Sequence, residues 1–156
     1  MATFQLVVNG ATRNVEAWDP DMPLLYALRN QLGLHAAKFG CGMAQCGSCT
    51  VLMNDAPVRS CVVTLRAAAG QRIVTAEGLG TIEKPHPVQA AFVTEQAAQC
   101  GYCTNGMVMT SVALLRQTPR PSREQAQQAL AGNLCRCGSH DRVLRAVQRA
   151  ADASRG

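Results

Sequence analysis

The chain has 156 residues, 47% of them apolar, 16% charged and only 4% aromatic, with a formal net charge of +5. That length holds one ordinary domain or two small ones, and pieces of about 80 residues build only marginal cores unless something staples them. Scattered Lys and Arg with so few aromatic rings argue against a nucleic-acid partner, and no stretch approaches the roughly 18 apolar residues of a membrane helix, so direct membrane insertion is not expected.

The opening MATFQLVVNG alternates apolar with polar residues and lacks the apolar core of a signal peptide, so a soluble chain without its own leader is expected. From Thr3 to Trp18 the alternation of Phe4, Leu6 and Val8, the turn Asn9-Gly10, and the resumed alternation at Val15 and Ala17 predict a hairpin. Leu24, Leu25, Leu28 and Leu32 then recur at helical spacing after Pro23, and Gly33 ends the run. A glycine-punctuated loop from Lys38 to Cys49 leads into a strand, Thr50 to Met53, and a second hairpin around Asn54 to Pro57 brings Cys61 back toward the loop. Extended sequence at Arg72 to Thr75 precedes the stretch Pro85-His86-Pro87, which reads as a linker and sets a domain boundary near residues 80 to 86.

Beyond that boundary the period becomes helical. His86 or a neighbour caps a helix with Pro87 in its first turn, running toward Gln99. A second helix opens near Cys103 and ends before Pro119. A third starts at Ser122, with Gln125 three residues on as in a capping box, and stops at Gly132-Asn133; a fourth starts near Ser139. A β-rich half followed by a small helical bundle is the expected architecture.

Eight cysteines carry the chemistry. Cys41, Cys46, Cys49 and Cys61 have the plant-type ferredoxin spacing, and Cys100 and Cys103 form a C-x2-C group that the Cys135-x-Cys137 pair completes. Four thiolates suffice for one [2Fe–2S] cluster, so eight suffice for two. Each oxidised cluster with its thiolates carries about −2, which would bring the loaded chain to about +1. Gly40, Gly42 and Gly47 let the first loop curl and turn its N–H groups toward sulfur. Helices starting near Cys103 and after Cys137 would aim their positive ends at the second site. Zinc or disulfides are the alternatives, and for the second set alone zinc is a serious rival.

The segments KFGCGMAQCGSCTVL at 38–52, TAEGLG at 75–80, HPVQAAF at 86–92, QCGYCTNGM at 99–107 and GNLCRCG at 132–138 resemble the small iron–sulfur subunit of the molybdenum hydroxylases. That group includes xanthine dehydrogenases, aldehyde oxidoreductases, and isoquinoline and nicotinate dehydrogenases. The resemblance implies an α+β chain, with a β-grasp plant-type ferredoxin-like domain in residues 1–80 and an all-α four-helix [2Fe–2S]-binding domain in 86–156. It implies electron transfer from a molybdopterin site, expected as the cytosine dinucleotide form, in a separate large subunit that oxidises an aldehyde or N-heteroaromatic substrate. The helical-domain cluster comes first and the ferredoxin-like cluster second. The acceptor is a cytochrome c subunit, a flavin subunit or a quinone, and the complex is cytoplasmic, or periplasmic or bound at the inner membrane through its partners. Gln99 is implied as a contact to the pterin, its alternative being a helix-capping group. No residue of this chain is expected to be catalytic.

Asn105, where many relatives have Pro, and Gly138-Ser139-His140 after the last cysteine depart from the xanthine branch and point toward the isoquinoline, nicotinate or bacterial aldehyde branch. His35, His86 and His140 read as surface or capping groups. Met107 and Met109 fall on different helical faces, so at least one packs in a core. Trp18 is expected either to be buried at its strand end or to lie in a subunit interface, and Arg142, Arg145 and Arg149 form either a solvated face or a contact for an acidic partner. Two rival functions stay open at this level: a free-standing ferredoxin and a zinc-stabilised interaction module.

Overall fold

In the computed structural model, which describes residues 1–154, a five-stranded mixed sheet and four longer helices pack on one another. Strand β1 (Ala2–Val8) pairs antiparallel with β2 (Ala11–Ala17), placing Phe4 opposite Val15 and Val8 opposite Ala11. The turn between them has Asn9 and Gly10 both at positive φ, 51° and 79°, as a two-residue turn matched to strand twist requires. Asn54 and Asp55 repeat that geometry between β3 (Thr50–Met53) and β4 (Ala56–Arg59). Strand β5 (Arg72–Val74) lies in the middle, parallel to β1 and antiparallel to β3, giving the order β2-β1-β5-β3-β4.

The leucine run after Pro23 begins as one α-turn, α1 (Leu24–Tyr26), and widens into a π-turn over Ala27–Gln31 before Gly33 ends it at φ 67°. Leu24, Leu25, Ala27 and Leu28 are fully buried against Leu6, Val15, Val51 and Ile73, the β-grasp packing of a helix on a sheet. Spacing alone does not distinguish the wider turn from an α-helix. A short helix α2 (Leu65–Ala68), capped by the Thr64 hydroxyl, is not foreseen from the sequence, because four residues carry too little periodicity.

The second half contains α3 (Pro87–Thr94), α4 (Thr104–Gln117), α5 (Arg123–Leu130) and α6 (His140–Ala153). Helices α3 and α5 both start with a complete capping box, His86 with Gln89 and Ser122 with Gln125. Helix α3 stops at Thr94, short of the expected extension to Gln99, and Gln99 lies in the turn that follows.

Helix α4 is buried on every side from Asn105 to Ala113 because it lies between strand β3 and the other helices. Both Met107 and Met109 are therefore fully buried although they point in opposite directions. Leu52 of the sheet packs into the helical core, so the two hydrophobic clusters meet along α4. Trp18 is 83% exposed, which removes the expectation that it is buried at its strand end. Among the described residues no helix is long and apolar enough to cross a membrane.

Candidate metal centres

The loop between the π-turn and β3 has no regular structure, yet Lys38 N–H donating to the Ser48 carbonyl at 3.0 Å closes it. Its backbone turns inward on sulfur. Cys41 Sγ accepts from the N–H groups of Met43 (3.4 Å), Gln45 (3.2 Å) and Cys46 (3.3 Å), and Cys46 Sγ accepts from Cys41 N–H at 3.4 Å. This curl needs positive φ at Gly42 and Ala44, and a Cβ on Gly40 would sit 2.7 Å from Cys46 Sγ. Hydrogen bonds, led by that from Met43, bring the Cys41 thiol down to about 7, the direction expected where N–H groups face sulfur.

Cys49 and Cys61 lie deeper. The Ser60 hydroxyl donates to the Cys49 carbonyl at 2.7 Å and holds the two segments together. The Cys49 thiol is pushed up to about 11, first by burial and also by the adjacent Cys61 and Cys46 thiols.

The second set is assembled from two turns. Cys100 is exposed, Cys103 is the buried residue that opens α4, and Cys135 and Cys137 occupy the turn before α6. Burial, and then the Cys135 and Cys100 thiols, push Cys103 up to about 11. Burial also opposes ionisation at Cys135, but hydrogen bonds from Ser139 and from the Cys137 backbone bring that thiol down to about 7, with the Ser139 hydroxyl 3.1 Å from its sulfur. At Cys137 a backbone hydrogen bond with Cys100 favours the thiolate, yet the Cys100 thiol, burial and the Cys135 charge together raise it. The starts of α4 and α6 thus lie at Cys103 and just after Cys137, as expected. Gln99 is exposed and donates from Nε2 to the Cys137 carbonyl at 3.2 Å, so it ties the two turns together and caps no helix.

All eight cysteines are free thiols, and they meet in pairs: Cys41 with Cys46, Cys49 with Cys61, Cys103 with Cys135, and Cys100 with Cys137. Two thiolates to each of two irons is the donor set of a [2Fe–2S] centre. Paired thiols with backbone N–H groups aimed at sulfur fit an anionic binuclear cluster. His86 accepts Val88 N–H as a cap, His140 opens α6 and His35 is exposed.

Sequence reasoning missed the groups that fasten one set to the other. The Tyr102 hydroxyl donates to the Phe39 carbonyl, and Leu134 N–H donates to the Cys46 carbonyl at 2.9 Å. Arg59 reaches Thr50 Oγ1 at 2.6 Å and the Gly132 carbonyl at 3.0 Å. Asn105 Nδ2 donates to the Ser48 and Thr50 carbonyls at 3.1 and 3.2 Å. Of these groups only Asn105 carried a sequence signal, as a departure from proline in the first turn of α4.

Residues 6–77 match the family described as 2Fe-2S iron-sulfur cluster binding domain, and residues 75–148 match the [2Fe-2S] binding domain family. The chain is 56% identical to a nicotinate dehydrogenase subunit of Pseudomonas putida, over 98% of this chain and 97% of that one. It is 44% identical to the alpha chain of isoquinoline 1-oxidoreductase from Brevundimonas diminuta, over 95% and 97%. Among solved structures, the aldehyde oxidoreductase of Desulfovibrio desulfuricans superposes with a TM-score of 0.95 at 38% identity; the match covers all of this chain and 17% of that one. With two cluster-domain matches in order and near full-length likeness to subunits of this kind, the chain belongs to the small iron–sulfur subunits of the molybdenum hydroxylase family.

Proposed function

We propose that this chain relays electrons through two [2Fe–2S] clusters, from a molybdopterin site in a separate large subunit to an external acceptor. The observation that carries the reading is the pairing of eight unbridged cysteines on loops whose N–H groups face sulfur. Cys41, Cys46, Cys49 and Cys61 would hold one cluster, and Cys100, Cys103, Cys135 and Cys137 the other. Such a cluster, when bound, supplies one-electron redox chemistry. The residues of this chain do the holding: the Met43, Gln45 and Cys46 amides and the Ser139 hydroxyl offset negative charge at sulfur.

Electrons enter at the second set, where Cys100 and Gln99 are exposed, and the Gln99 side-chain amide contacts the pterin, in its cytosine dinucleotide form. They leave through the first set toward a cytochrome c subunit, a flavin subunit or a quinone. The chain divides into residues 1–80 and 86–156 at the linker, one site in each part. The names of the nicotinate and isoquinoline relatives favour an N-heteroaromatic substrate over an aldehyde.

The test is purification of the native complex through a tag on this chain. About four irons and four acid-labile sulfides per chain are expected, with two distinct rhombic EPR signals after dithionite and molybdenum in the co-purifying subunit. A colourless, zinc-containing protein would overturn the reading, and a loaded chain that captures no large subunit would return it to a free-standing ferredoxin.

A further inference from the structure

Asn105 belongs to neither thiol set, yet it joins them. It lies two residues after Cys103 in the first turn of α4 and is 8% exposed. Its two acceptors, the Ser48 and Thr50 carbonyls, flank Cys49 on either side. Because a carbonyl cannot donate, the amide must turn its NH2 toward them, and its own Oδ1 is left buried without a partner. The side chain is oriented entirely by its grip on the Cys49 segment.

The neighbouring contacts leave that grip little slack. A Cβ on Gly106 would sit 2.0 Å from the Gly47 carbonyl oxygen, so the start of α4 already touches the first-set loop backbone to backbone. The other turn of the second set is fastened to the same segment, through Leu134 N–H on the Cys46 carbonyl and Asn133 Nδ2 on the Gly47 carbonyl at 3.4 Å. Residues 46–50 therefore hold both second-set turns, and Asn105 is the side chain that ties the Cys103 side to Cys49.

We propose that Asn105 is a positioning residue for electron transfer between the two cysteine sets, its amide fixing the backbone around Cys49 relative to the helix that follows Cys103. Each electron that crosses oxidises the site at Cys103 and reduces the site at Cys49, and the separation and orientation of the two are set by this clamp. The inference rests on the reading that both sets hold clusters.

Two variants of the intact complex test it. Asn105→Asp keeps the shape but sets an oxygen against two carbonyl oxygens, and Asn105→Leu keeps the bulk while removing both donors. Iron and sulfide are measured first. With both clusters retained, reduction of the first-set cluster after mixing with substrate, followed by freeze-quench EPR, should slow roughly ten-fold or more. The magnetic interaction between the two reduced clusters should change as well. Retained clusters with unchanged rate and unchanged interaction would overturn the inference. So would loss of the first-set cluster in both variants, which would make Asn105 a support for cluster retention alone. A native complex without iron and sulfide would instead defeat the functional reading, so the two failures are distinguishable.

Discussion

A methyl group in place of the Gly106 hydrogen has nowhere to go, because the atom 2.0 Å from its ideal position is a backbone oxygen that cannot rotate away. Gly106→Ala should therefore force α4 off the first-set loop, at a cost of about 3 kcal/mol or more, at the upper end of what overpacking usually brings. The urea midpoint of the variant checks this; a midpoint within error of the parent would mean that α4 shifts freely. The same position shows where sequence reading stops. The glycines of the first loop read as freedom to curl around sulfur, and the positive φ of Gly42 and Gly47 agrees. What the spacing could not contain was that Gly47 also abuts Gly106, 59 positions away in the chain. Nor could it show that Asn105, legible only as a departure from proline, holds the segment around Cys49. Such contacts depend on how two elements pack, and no local pattern encodes them.

Helix starts were legible because their chemistry is local. Ser122 with Gln125 reads as a capping box and is one, and Pro87 after His86 marks the start of α3. The α3 cap has a pH dependence of its own. His86 accepts Val88 N–H through Nδ1, which it can do only unprotonated, and burial, aided by the nearby Arg116 charge, holds its pKa below the ordinary 6.5. The unfolded chain therefore takes up this proton first. Stability from this group is full above about pH 6.5 and falls as the pH drops from there through the folded-state pKa. His86→Asn keeps a capping acceptor without the titration, so its melting temperature should fall less than the parent's between about pH 7.5 and pH 5.5. Parallel curves for the two proteins would exclude His86 as the source. The π-turn at Ala27–Gln31 and the short α2 were not legible, since the first shares its leucine spacing with an α-helix and the second is too short to show a period.

At the scale of the whole chain, a sheet-based core and a helical core meet along α4, and the fastenings between the cysteine sets lie at that junction. The arginines of α6 turn out to be engaged inside the chain. Arg145 and Arg149 share Glu95, Arg145 also meets Asp141, and Arg142 reaches the Gln96 carbonyl. Exposed pairs of this kind add little stability, but they leave less of the positive charge on that face open to an acidic partner than the sequence suggested.

Trp18, the single tryptophan of the chain, is 83% exposed at the end of β2. The molecule thus carries one indole lamp, set in water and away from the core. The free subunit should show the red-shifted emission of a hydrated indole, and titration with the large subunit becomes an optical measurement of which face the assembly covers. A blue shift on mixing would put β2 in the contact. An emission maximum that stays fixed while the complex forms would leave that edge of the sheet open to solvent.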